Sequence, residues 1–213
     1  RDIGVTGVQT CALPISLTAA AKSGIAPKAS AAAARSARAW LRAQQMSEGG
    51  WAFIPGMSAD ADSTAMVLSA LGMNGPNGKT AAAWLGDHVV VEQGCAARIQ
   101  ADATPDPLTT VLVFIAGSGP LPYSPPAKKP GAVNCPDTLN PLLGTGAWIG
   151  KALVDGEGAI PSTYSPGDVD WNSTALATLA MTQAGPRAAL RAGLAALRLN
   201  VEPYVTKDGP DSP

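Results

Sequence analysis

Few side chains in this 213-residue chain could do chemistry, and the most suggestive group is a pair of carboxylates two positions apart, Asp60-Ala61-Asp62, followed by Ser63-Thr64-Ala65. Asp, Asn, Ser and Thr accept hydrogen bonds from the free N–H groups of a helix's first turn, so this word fits a helix start. It recurs as Asp170-Trp171-Asn172-Ser173-Thr174-Ala175. A residue repeated at equivalent places is usually a cap, and capping is the expected role of Asp62. The chain has one histidine, His88; outside residues 1–16 it has two cysteines, Cys95 and Cys135, and no Cys-x-x-Cys. No metal-finger arrangement is present, and no metal or cofactor is expected from these residues. The two cysteines could pair if the protein is exported, but their loop placement alone leaves this open.

The composition narrows what must hold those residues. The chain is 46% hydrophobic, 15% charged and 5% aromatic, and much of its apolar content is alanine. That suits closely packed helices, many of them buried on more than one side. The net charge is −1 with interspersed signs, so no nucleic-acid surface is expected. No apolar run approaches the roughly 18–20 residues that span a bilayer, and the longest, Leu108 to Ala116, reads as a buried helix. Arg1 to Ser16 resembles the translation of a common sequencing adapter and is left out of the fold; residues 17–30 read as a linker.

The rest of the chain repeats itself. Ala39-Trp40-Leu41, Ala83-Trp84-Leu85 and Ala147-Trp148-Ile149 are one word. Counting 22, 22 and 24 residues from each tryptophan reaches Asp62, Asp106 and Asn172. Each opens an apolar helical stretch, and Pro107 suits a first helical position. This predicts helical hairpins with first helices near 31–46, 79–93 and 139–153 and second helices near 62–73, 106–117 and 172–183. A further helix is expected from Pro186 to about Asn200, with Gly75 and Gly185 as helix exits. Such hairpins must stack to bury their apolar faces, as an open superhelix or a closed ring.

Gln45-x-x-x-Gly49-x-Trp51 resembles the QxxxGxW signature of the terpenoid-cyclase and squalene-cyclase repeat, and Arg35-Ser36 and Trp40-Leu41 fit the wider pattern. Gly49-Gly50-Trp51 is also similar to a turn of the protein prenyltransferase β-subunit repeat. Physically, the glutamine amide can satisfy loose backbone groups at a helix end while the indole packs over it. At the places of Gln45, Gly49 and Trp51, the second unit has Val89, Gln93 and Cys95, and the third has Leu153, Glu157 and Ala159. The resemblance implies an all-α fold, an α/α-toroid of about six hairpins with the second helices innermost, of which residues 31–213 would supply about three and a half.

Two chemistries come with that resemblance. Cyclases of the family use a DxDD-type motif in which one Asp, kept protonated, donates its proton to an alkene or epoxide. Asp60-Ala61-Asp62-Ser63 resembles a form of it, with Asp62 at the donor's place, Asp60 at the first Asp, and Ser63 replacing the last Asp. Holding the acid neutral needs burial or neighbouring negative charge. Prenyltransferases instead converge Asp, Cys and His on zinc; His88 is expected on an outer helix facing solvent, and no Asp-x-Cys lies on an inner one. Relatives that carry cobalamin make a small-molecule or isoprenoid ligand the expected partner class. Tyr164 to Asp168 and the 117–136 loop could edge a pocket, though solvated surface is the plainer expectation. The resulting expectation is a secreted or cell-surface binding or structural module, with a terpenoid-cyclase-like enzyme using Asp62 as the alternative.

Overall fold

Each second helix of the repeat starts on an aspartate. The chain, seen in a computed structural model, is described over residues 27–118, 134–137, 140–163, 165–183 and 185–206, without the side chains of 202–206. These residues are all-α apart from one two-stranded ribbon. The helices are α1 (Pro27–Ala43), α2 (Ala61–Leu71), α3 (Pro76–Gly86), α4 (Pro107–Ser118), α5 (Pro141–Asp155), α6 (Trp171–Ala180) and α7 (Arg187–Thr206). Asp60 caps α2, accepting from Ser63 N–H at 2.7 Å, and Asp170 caps α6 by the same bond at 2.9 Å. Asp106 accepts from Thr109 N–H at 3.0 Å ahead of α4. Asp62 is therefore not the cap: it is the second residue of α2, and the equivalent caps are Asp60, Asp106 and Asp170.

The loops entering these helices share one stitch. Trp51, Ala97 and Ile160 each donate their N–H to the Thr64, Thr110 and Thr174 hydroxyls, all at 2.9 Å. Their carbonyls in turn accept from the N–H of Asp60, Asp106 and Asp170. Two residues before each stitch the backbone turns left-handed: φ is 106° at Gly49, 67° at Cys95 and 96° at Gly158. The true counterparts of Trp51 are thus Ala97 and Ile160, not Cys95 and Ala159. The distance from each repeat tryptophan to its stitch varies between units, so counting from the tryptophans found the cap Asp106 but overshot Asp60 and Asp170 by two residues and misplaced the loop equivalents.

Other boundaries moved for local reasons. The helix expected over 79–93 stops at Gly86, because the β-branched pair Val89-Val90 goes extended and Val91–Gln93 forms a separate 3-10 turn. Val89–Val90 pairs antiparallel with Ala96–Ala97. Gly72, with φ 79°, ends α2, whereas Gly75 precedes α3 and Gly185 precedes α7 instead of closing helices. Residues 27–30, expected in a linker, form the first turn of α1; residues 1–26 and 207–213 lie outside the described residues.

The helices pack in two rows. The second helices α2, α4 and α6 lie side by side, as do α3, α5 and α7, and α1 packs on α2. Central α4 is buried on most sides and serves two cores. Val113 and Ala116 join Leu41, Trp51, Leu68 and Leu85 on one side, while Val111 and Phe114 join Ile149, Leu153, Ile160 and Met181 on the other. A Cβ at Gly146 would lie 2.5 Å from the Phe114 ring, so glycine lets α5 approach α4 closely. No described helix is long and apolar enough to cross a membrane.

Candidate functional site

With Asp60 occupied as the cap, Asp62 is left for something else. It projects from the first turn of α2 towards the start of α4, near Asp60, Asp106 and Thr109. Its Oδ1 is buried and has no hydrogen-bond partner among the described residues. Burial pushes its pKa up to about 6, the neighbouring Asp60 and Asp106 charges push the same way, and the Thr109 hydroxyl opposes them. Asp106 is itself engaged, capping α4 through Oδ2 and accepting from the Thr163 hydroxyl at 3.0 Å through Oδ1. The sequence brought Asp60 and Asp62 together as candidates but missed Asp106 and Thr109, whose proximity follows from the packing of α2 against α4. A carboxyl of this kind is half protonated near pH 6 and could exchange a proton with whatever reached it.

A cavity of about 330 Å³ lies on another side of α2, against α1 and the 51–57 loop. Trp40, Trp51, Phe53, Met46, Met57 and Val67 supply much of its wall, and Ser63 also lines it, while Asp62 does not. The Ser63/Val67 edge of α2 faces this cavity, whereas Asp62 is turned towards α4. The acid and the aromatic cavity are therefore separate features. Trp40, Phe53 and Met57 are about half exposed at the mouth. Counting the tryptophans as a repeat word located Trp40 but gave no signal that it lines a cavity; the apolar residues of the 51–57 loop were the signal available.

The Gln–Trp tie forms as helix-end chemistry. Gln45 Nε2 donates to the Gly49 carbonyl at 2.6 Å and to the Asn77 carbonyl of α3 at 3.0 Å. Trp51 Nε1 donates to the Leu41 carbonyl near the end of α1 at 2.8 Å. Gly50 is required here, since a Cβ would meet Ala59 at 2.7 Å and Trp84 at 3.2 Å.

The remaining candidates are drawn into the structure. His88 is buried instead of facing solvent: it follows α3, its Nδ1 lies 2.9 Å from the Trp84 carbonyl, and its ring stacks on Trp84 at 4.0 Å. Cys95 and Cys135 are joined by a disulfide, so neither is a thiolate ligand. Among the described residues no group of three His, Cys, Asp or Glu is placed to hold a metal ion. Tyr164 and most of the 117–136 loop lie outside the described residues. Comparison with known protein families, with curated proteins and with solved structures found no match.

Proposed function

We propose that the chain is a prenyltransferase- and squalene-cyclase-like repeat domain, part of an α/α-toroid, acting as an exported binding module for a small apolar molecule. The observation that carries this is the aromatic- and methionine-walled cavity between α1 and α2, whose lining contains no charged residue. The Cys95–Cys135 disulfide favours an oxidising compartment. The two rows of helices suit a toroid, and α7 presents Leu194 and Val201, one heptad apart, outward on a face that a further hairpin would cover. The test is titration with an uncharged fluorescent hydrophobe, N-phenyl-1-naphthylamine. Saturable one-to-one binding that Trp40→Ala and Phe53→Ala each abolish is expected; wild-type protein that gives no saturable signal removes the reading.

A second reading has one observation in its favour. Asp62 is free of capping duty and has its pKa raised to about 6, as a terpenoid-cyclase-like general acid would need. It does not line the aromatic cavity, which is why the binding reading ranks first. If the enzyme reading holds, Asp62→Asn abolishes cyclisation of a matched polyprenyl substrate, while Asp60→Asn, which keeps the cap, slows it less.

A further inference from the structure

One polar group in the apolar cavity is unaccounted for. Ser63 is 2% exposed, lines the cavity, and its Oγ has no hydrogen-bond partner among the described residues. The corresponding hydroxyls of the other repeats are occupied: Ser173 Oγ donates to its cap Asp170 at 2.5 Å, and Thr109 Oγ1 to its cap Asp106 at 3.4 Å. Only in the first repeat is the hydroxyl turned from its aspartate towards a cavity. The other buried polar group of the wall, the Trp51 indole N–H, is already given to the Leu41 carbonyl, and Gln44 is exposed. A buried hydroxyl without a partner is costly, and a ligand that satisfies it binds better for doing so.

We infer that this cavity takes an uncharged apolar molecule bearing a single terminal hydroxyl, anchored deep in the site by Ser63 Oγ. The inference rests on the binding reading above and adds the chemical class of the ligand. A hydroxyl matches Ser63 in either direction, since each can donate or accept. The uncharged lining excludes a carboxylate or ammonium end, whose desolvation nothing in the wall would offset. About 330 Å³ is at the small end of the roughly 300–1,000 Å³ range for ligand pockets, so the molecule is small.

The test pairs two probes that differ in one oxygen, 4-isopropylbenzyl alcohol and 4-isopropyltoluene, titrated with the indole N–H resonances as readout. The alcohol is expected to bind the wild type about tenfold more tightly. Ser63→Ala should bring the two to within about twofold by weakening the alcohol and leaving the hydrocarbon unchanged. The Ser63 N–H stays capped and alanine is a better helix former, so the variant should unfold at the same temperature or higher. Equal binding of both probes by the wild type, or an alcohol preference that survives Ser63→Ala, overturns the inference and leaves the binding reading intact. If neither probe binds while N-phenyl-1-naphthylamine does, the inference alone falls; if none of the three binds, both fall.

Discussion

Replacing Asp62 by asparagine should stabilise the protein, and by an amount that depends on pH. The side chain is mostly buried beside Asp60 and Asp106, and its pKa rises from 3.8 to about 6 on folding. A carboxyl whose pKa is raised by folding binds its proton more tightly in the folded state. Stability is therefore highest while Asp62 is neutral and falls as pH rises from about 4 to about 6. At 1.36 kcal/mol per pH unit, the ionised acid makes the fold about 3 kcal/mol less stable above pH 6. Asparagine has nearly the same shape and never ionises. The advantage of Asp62→Asn should therefore grow from under about 1 kcal/mol at pH 4 to about 3 kcal/mol at pH 7.5. With a typical urea dependence, that is a midpoint shift of about 1–2 M at the higher pH. Urea unfolding of both proteins at the two pH values gives the comparison directly. A variant less stable than the wild type at pH 7.5, or an advantage that does not change with pH, refutes the account of Asp62 as a buried carboxyl held close to other negative charge.

The same structure makes three further predictions. Asp60→Ala and Asp170→Ala should each lose about 1 kcal/mol of stability by uncapping α2 and α6, whereas Asp60→Asn should be nearly neutral; thermal unfolding at pH 7 ranks them. Thr64→Val, which leaves the buried Trp51 N–H without an acceptor, should cost about 1–3 kcal/mol, and Thr174→Val a similar amount at Ile160, as chemical denaturation would show. Reduction, or paired Cys95→Ser and Cys135→Ser, should lower stability by about 4 kcal/mol, because the bridge closes a chain separation of 40 residues; unfolding with and without reductant measures it.

The all-α class was legible because repeated words at fixed spacing, alanine-rich apolar faces and cap residues all pointed the same way. The second helices were placed within a few residues, since Asp-x-x-Ser/Thr-Thr marks a helix start by its own hydrogen bonding. The register between repeats was less legible. A tryptophan on a first helix and a cap on a second are separated by a loop whose length differs from unit to unit, and only the threonine stitch shows which loop residues correspond. His88 was misread because a lone histidine near a helix end carries no sign of its facing ring, and Trp84 covers it. The Cys95–Cys135 pairing depends on how the ribbon of residues 89–97 packs against the segment before α5, which no local pattern encodes.

Repetition also separates what builds the fold from what is left over for function. The cap and stitch positions hold Asp60, Asp106 and Asp170, then Thr64, Thr110 and Thr174, and their hydrogen bonds are the same three times. Nothing at those positions is free to do more than hold a loop on a helix. The position two after the cap is Asp62, Leu108 and Asn172, and the stitch residue is Trp51, Ala97 and Ile160. These are the places where one repeat departs from the others without any demand of the stitch. In the first repeat they supply a buried carboxyl with a spare oxygen and an indole at a cavity wall, and between them stands Ser63, whose hydroxyl has left its cap. Trp51 also ties the end of α1, but the fold needs neither the spare carboxyl nor the freed hydroxyl, and so the first repeat is where binding should be sought.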